Sequence, residues 1–321
     1  MTNVDRAASD SSIMTAARIH AFGNVDAIVL EEIERPTAAE GEVLVRVEAA
    51  GVGPWDAWIR AGKSVLPQPL PLTLGSDISG IVEAVGPAVT GLHVGDPIFG
   101  VTNARFTGGY AEYAVASADM IARRPASLGA VEAAAVPVVA VTAWQALFEQ
   151  ANVQHGDTVL IHGGAGAVGA YTVQFAKQAG ALVIATASER DRDFVEGLGA
   201  DKVVNYRSAR FEDIATSVDA VIDLVGGETQ KRSFSVLRPG GVLISAVSQP
   251  DQTLAQVHGV RAAFFLVEVT RTRLETIVAM IDEGRVTVDV GLTLPIAEAR
   301  TAHHLLEGRS AKPRGKIVLT M

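Results

Sequence analysis

The stretch from Asp157 to Ala170 constrains this chain more than any other. A short β-branched run, Thr158-Val159-Leu160-Ile161-His162, gives way to glycines at Gly163, Gly164, Gly166 and Gly169. Tyr171 to Ala179 then reads as helix and Ala181 to Thr186 as a second strand. Strand, tight turn, helix and strand in that order make a βαβ unit whose turn suits a dinucleotide pyrophosphate. The first glycine, Gly164, permits the turn, and Gly166 lets a phosphate approach bare backbone. Gly169 lets the helix pack close to the strand, so that its N-terminal N–H groups face the anion. Gly164, Gly166, Ala167, Val168 and Gly169 are therefore the expected cofactor contacts, and a purely structural turn is the alternative.

The rest of the chain must accommodate that unit. Its 321 residues suit two domains better than one core. A net charge of -9 without a basic stripe argues against nucleic acid as a partner. The most apolar stretch, Val131 to Phe148, contains Glu132, Pro137 and Gln145 and reads as buried core, so no membrane insertion is expected. Met1 to Ser12 is polar and lacks the apolar centre of a signal peptide. Residues 1–13 read as a flexible leader, with the fold beginning at Met14. The missing signal and a soluble cofactor suggest a cytoplasmic protein. There is no cysteine, which excludes disulfides, a thiolate nucleophile and Cys-ligated zinc.

From Ala16 to about Pro137 the pattern is of short strands between glycine and proline turns, among them Val43–Ala49, Ile78–Val85, Asp96–Gly100 and Tyr110–Ala116. This spacing predicts a β-rich, barrel-like domain. Strands then alternate with helices. The predicted strands are Thr158–His162, Leu182–Thr186, Lys202–Asn205, Ala220–Leu224 and Val242–Val247. The predicted helices are Asp191–Leu198, Ala209–Thr216, Gln230–Leu237 and Arg271–Glu283. Alternation of this kind predicts a doubly wound parallel sheet. Short strands return at Val286–Val290 and Lys316–Leu319, so the nucleotide domain, 138–283, reads as an insert between 14–137 and 284–321.

Several short segments resemble the medium-chain dehydrogenase/reductase superfamily, in its zinc-independent, quinone oxidoreductase-like branch. They are Ala50-Gly51-Val52-Gly53-Pro54-Trp55-Asp56, Leu74-Gly75-Ser76-Asp77-Ile78-Ser79-Gly80, Gly108-Gly109-Tyr110-Ala111-Glu112-Tyr113, Thr142-Ala143-Trp144, Leu198-Gly199-Ala200-Asp201, Arg238-Pro239-Gly240-Gly241 and Gly315-Lys316, together with the glycine loop. The resemblance implies an α/β fold: a GroES-like β-rich barrel domain plus a Rossmann nucleotide domain. Zinc-using members carry a cysteine near Gly53–Trp55 and a His-Glu pair where this chain has Ser76-Asp77. With those donors absent no zinc is expected, and the Lewis-acid route for alcohols goes with it. Hydride delivery from a reduced cofactor to a quinone or an enone remains.

The second strand ends in Thr186-Ala187-Ser188, followed by Glu189, Arg190 and Arg192. Ser188, Arg190 and Arg192 suit a 2′-phosphate and favour NADPH over NADH; the alternative is solvated arginines with Glu189 on the 2′-hydroxyl. The resemblance adds Thr142, Tyr206, Val225, Phe265, Leu266 and Lys316 as cofactor contacts, while Phe264-Phe265-Leu266 reads equally as core or interface. Trp55, Asp56 and Tyr110 are candidates for positioning the acceptor, with core packing as the competing reading for Trp55 and Tyr110. The family's Asn is Gly53 here, a change expected to remove an amide donor and widen the pocket. A tyrosine that some enoyl reductases use as proton donor is absent, Lys63-Ser64 standing after Gly62. His162 reads as a helper of the loop, and His303-His304 as surface. A quinone or enone reductase is therefore the expected function. An NADPH-binding, non-catalytic protein (crystallin-like or a sensor) or an enoyl-thioester reductase is the alternative. The family's habit of pairing nucleotide domains suggests a homodimer, with Val257 to Val269 as its apolar surface.

Overall fold

In the computed structural model the described residues are 12–308 and 313–321. Most of the expected leader lies outside them. Ile13, assigned to it, already opens a strand, Ile13–Ile19, that pairs antiparallel with Val29–Glu34. Around Glu42–Val52 a seven-stranded sheet is assembled from Asp77–Val85, Pro97–Val101, Tyr113–Ser117 and Ile121–Arg123. Two strands from the end of the chain, Val290–Pro295 and Lys316–Thr320, complete it. The chain therefore returns to its first sheet after leaving it near residue 124.

Between these visits it builds a six-stranded, wholly parallel sheet. The spatial order is Lys202–Asn205, Leu182–Ala187, Thr158–Ile161, Val218–Asp223, Leu237–Ser245, Arg261–Phe264. Order reverses on either side of Thr158–Ile161, so a crevice opens beyond the carboxyl end of that strand, where open α/β sheets place ligands. The sheet is nearly apolar because helices cover it, as parallel strands require.

The helix Pro137–Trp144 joins the two halves. Pro137 to Ala143 are all buried, and its valines share a core cluster with Phe99, Val101 and Ala122 of the first sheet and with Val159 and Ile161 of the second. A helix that is apolar all round is buried, which explains the Val131–Phe148 stretch. Among the described residues no helix is long and apolar enough to cross a membrane.

Two expected elements differ. Ala209–Thr216 forms only the single turn Phe211–Asp213; eight residues are too few to hold a helix without packing along their length. The strand expected at Val286–Val290 starts at Val290. The backbone before it is taken by a side chain: Thr287 N–H donates to Gln174 Oε1 at 2.7 Å, and Gln174 Nε2 donates to Thr287 O at 3.2 Å.

Candidate functional site

Gly163, at φ 75°, makes the left-handed turn that the sequence assigned to Gly164. Gly164 is required for space instead, since a Cβ there would lie 3.0 Å from the Cβ of Ala185. At Gly169 a Cβ would overlap the carbonyl oxygen of Gly163, which brings helix and turn into contact. The helix Ala167–Gln178 begins after Gly166 with no side-chain cap, leaving its first N–H groups available to an anion.

Buried His162 braces this turn from behind. Its Nε2 lies 2.9 Å from Ser233 Oγ and its Nδ1 3.3 Å from Thr186 Oγ1. Ser233 Oγ donates to Thr229 O, and Thr186 Oγ1 accepts from Gly163 N–H. Each hydroxyl has one proton, so Ser233 must accept from Nε2–H and Thr186 must donate to Nδ1. Burial lowers the imidazole to about 4, so it is neutral, as this chain of bonds needs.

In front of the turn lies a cavity of about 850 Å³, whose walls come from both sheets. Gly166, Ala167, Val168 and Gly169 form one part of its wall. Ser188, Asp191 and Tyr206 close that end. Ser188 Oγ donates to Asp191 Oδ2 at 2.6 Å. The Arg190 side chain is 76% exposed and reaches only Asp191, at 3.6 Å. Neither Arg190 nor Arg192 is among the residues that line the cavity. The Arg192 guanidinium is held by Glu189 through two bonds of 3.1 Å and donates to Val203 O. That pairing also lowers the Glu189 carboxyl. Of the two arginines, Arg190 is the more exposed and the less firmly held.

At the opposite end the wall is aromatic. The helix Pro54–Arg60 carries Trp55 and Trp58, three residues apart and so on one face, and both indoles line the cavity. Trp55 Nε1 donates to Ser76 Oγ at 3.0 Å, and Lys316 Nζ sits 4.2 Å from the centroid of the same ring. Lys316 is paired at 2.9 Å with Asp77, which also accepts from Val138 N–H. Burial pushes the Asp77 carboxyl up against the opposing pull of Lys316.

The pocket is not widened at Gly53. A Cβ there would fall on the ring of Trp55, so the indole has folded into the space. Asp56 and Tyr110 were expected near the acceptor, but both are fully buried beneath this wall. Asp56 Oδ2 accepts from Gly53 N–H at 2.8 Å and from Tyr110 O–H at 3.0 Å. Burial raises Asp56 to about 7, opposed by the Gly53 bond and by Lys316. Their place is structural, tying the Gly53 turn to the segment around Gly75, whose Cβ would meet the Tyr110 ring.

Among the other expected contacts, Thr142, Phe265, Leu266 and Lys316 line the cavity. The Thr142 hydroxyl donates back to Val138 O at 2.7 Å. Val225 is exposed beside the Gly163 turn, and its neighbour Leu224 lines the cavity in its stead. His303, read as surface, is buried with Nδ1 2.9 Å from Arg60, and burial lowers it to about 3. Sequence reasoning missed Trp58, although the Trp-x-x-Trp spacing was the available signal. It also missed Asp223, which accepts from the N–H groups of Val225 and Gly226, from Gln230 and from Ser245, and so fixes the loop beside the glycines.

Residues 39–126 match the alcohol dehydrogenase GroES-like domain family, and residues 198–319 match a family described as zinc-binding dehydrogenase. The quinone oxidoreductase of Mus musculus is 32% identical over 98% of this chain and 100% of its own length. The 2-methylene-furan-3-one reductase of Solanum lycopersicum is 35% identical over 71% of this chain and 62% of its own. Among solved structures, a quinone oxidoreductase from Coxiella burnetii superposes with a TM-score of 0.89 at 34% identity, covering 96% of this chain and 99% of that one.

These relatives imply a nicotinamide cofactor, and the uncapped helix and bare glycine turn fit its pyrophosphate. Zinc fits less well. The chain has no cysteine, and among the described residues no three His, Asp or Glu side chains gather to hold a metal. Asp77, at the position of the superfamily's metal-ligand pair, already has an ammonium partner. This donor set does not suit a tetrahedral zinc.

Proposed function

Because this chain belongs to the medium-chain dehydrogenase/reductase superfamily, in its quinone oxidoreductase-like branch, we propose that it is an NADPH-dependent reductase of quinones or α,β-unsaturated carbonyl compounds that works without a metal. One observation supports this reading: a single cavity is lined both by the bare glycine turn at a helix N-terminus and by an apolar, aromatic wall. The names of the mouse and tomato relatives supply the two acceptor classes. Bound reduced nicotinamide supplies a hydride; a quinone takes it with a proton to become the hydroquinone, and an enone takes it at the β-carbon with a proton from water at the α-carbon.

The chain's own contribution is positional. The glycine turn and the helix N-terminus hold the pyrophosphate. Ser188, Arg190 and Tyr206 receive the adenosine end, where Glu189 is neutralised by Arg192 and the exposed, loosely paired guanidinium of Arg190 favours a 2′-phosphate. Thr142, Phe265 and Leu266 shape the middle of the cavity, and Trp55 and Trp58 exclude water from the acceptor end.

We place the protein in the cytoplasm as a homodimer joined along Arg261–Phe264, the edge strand of the parallel sheet, next to which Val257 is 74% exposed. Light scattering should give twice the 33.5 kDa chain mass; a single chain mass would reject the dimer. The function is tested by following cofactor absorbance with a panel of 1,4-quinones and enones. NADPH oxidation that survives a chelator supports it, and no turnover with either class, or loss on chelation, refutes it.

A further inference from the structure

Three residues meet one indole, and others hold two of those three in place. Gly53 leaves room for it and Ser76 accepts its N–H. Lys316 lies against its ring, and buried Asp77 holds Lys316 there. Beneath it, Asp56 and Tyr110 lock the Gly53 turn from which Trp55 springs. Trp55 is half-buried and packs against both hydrophobic cores, but core packing alone would need neither the Ser76 bond nor the Lys316 contact. A ring held at its N–H edge by Ser76, against Lys316 and beside Gly53 loses little freedom when a ligand settles on the part of it that lines the cavity.

We propose that Trp55 is a specificity-determining residue, a fixed aromatic floor that selects flat conjugated rings over aliphatic enones, and that Gly53 is the residue that permits it. The proposal rests on the reading that this cavity takes a carbonyl acceptor. A flat ring gains an offset or edge-on contact with an immobile indole, worth up to about tenfold in affinity, and a short aliphatic enone has no ring to offer. Any side chain at position 53 must displace the indole, so the two positions act as one device.

The test measures binding by calorimetry with oxidised cofactor present, so that no turnover occurs. The ligands are 2-methyl-1,4-naphthoquinone and pent-3-en-2-one. Trp55→Ala should weaken naphthoquinone roughly tenfold and leave pentenone within about twofold. Trp55→Phe, which keeps an aromatic face, should retain most of the affinity and guards against a folding failure. Gly53→Asn should cost the same roughly tenfold in the native background and nothing further once Trp55 is Ala. The proposal is overturned by unchanged naphthoquinone binding in Trp55→Ala, by equal loss of both ligands, or by a Gly53→Asn effect that persists without the indole. A protein that binds naphthoquinone through Trp55 yet never oxidises NADPH would refute the reductase reading and leave the floor standing. If the native protein binds neither ligand, both fall.

Discussion

The two ends of the cavity are built by different means. The end proposed for the cofactor rests on backbone: a left-handed turn at Gly163, an uncapped helix start, and glycines where a Cβ would strike a neighbouring segment, with the Ser188, Asp191 and Tyr206 side chains only at its margin. The acceptor end is made of side chains held by other side chains, through the pairs Trp55–Ser76, Lys316–Asp77 and Tyr110–Asp56. A turn built from backbone offers its N–H groups to an anion whatever the rest of the ligand is. A side-chain site can be retuned residue by residue, and this is where a shared fold acquires a particular substrate.

If that contrast holds, the ends should fail differently. The largest effect is expected at the acceptor end. Lys316→Met strands Asp77 as a buried unpaired carboxylate and should cost about 3–5 kcal/mol in a denaturant melt. Adding Asp77→Asn should recover part of the loss, because the pair is coupled; two simply additive penalties would show that the ion pair does not organise this wall.

Gly169→Val comes next. Its Cβ overlaps Gly163 O, and the turn and helix must separate. NADPH affinity should fall by at least about 100-fold, roughly 3 kcal/mol. Native affinity in this variant would show that the close approach is not needed for the cofactor.

A smaller effect is written in pH. Asp56 is raised from 3.8 to about 7 by burial, so the folded state holds its proton more tightly than the unfolded chain does. The stability it contributes is full below its unfolded value and is lost as pH rises through 7. Relative to Asp56→Asn, the native protein should lose roughly 2 kcal/mol between about pH 5 and 6.5. The opposing titrations of buried His162 and His303 are common to both proteins and cancel in this difference. Parallel stability curves would mean that Asp56 is not buried as described.

The smallest expected change sharpens the cofactor end. Arg190→Asp should lower the NADPH-over-NADH affinity ratio by about tenfold, one charge-assisted contact. An unchanged ratio would assign the preference elsewhere.

Legibility in the sequence follows the same division. The βαβ unit is local, so the strand Thr158–Ile161, the glycines and the helix beyond could be read from contiguous residues, and the parallel sheet from the alternation around them. The residue that makes the turn was misplaced by one, because Gly163 and Gly164 are indistinguishable by type and only φ separates them. At the aromatic wall, Lys316 and Asp77 are 239 positions apart, and Arg60, on the helix that carries Trp55, is 243 from its partner His303. No periodicity links such positions. Asp56 and Tyr110 were thus read as facing the acceptor when they bond to each other beneath it, and His303 as surface when Arg60 covers it. Gly53 suggested a wider pocket because no local residue pattern signals that Trp55 folds back over it.

The central claim is that cofactor and acceptor meet in one cavity and that hydride passes directly between them. It is tested most directly with NADPH carrying deuterium at C4 and an enone as acceptor, by mass spectrometry and NMR of the reduced ketone. The account predicts deuterium at the β-carbon with an α-proton from solvent, for one C4 epimer of the cofactor only. Reduced product with no deuterium, or label delivered equally from both epimers, would contradict it.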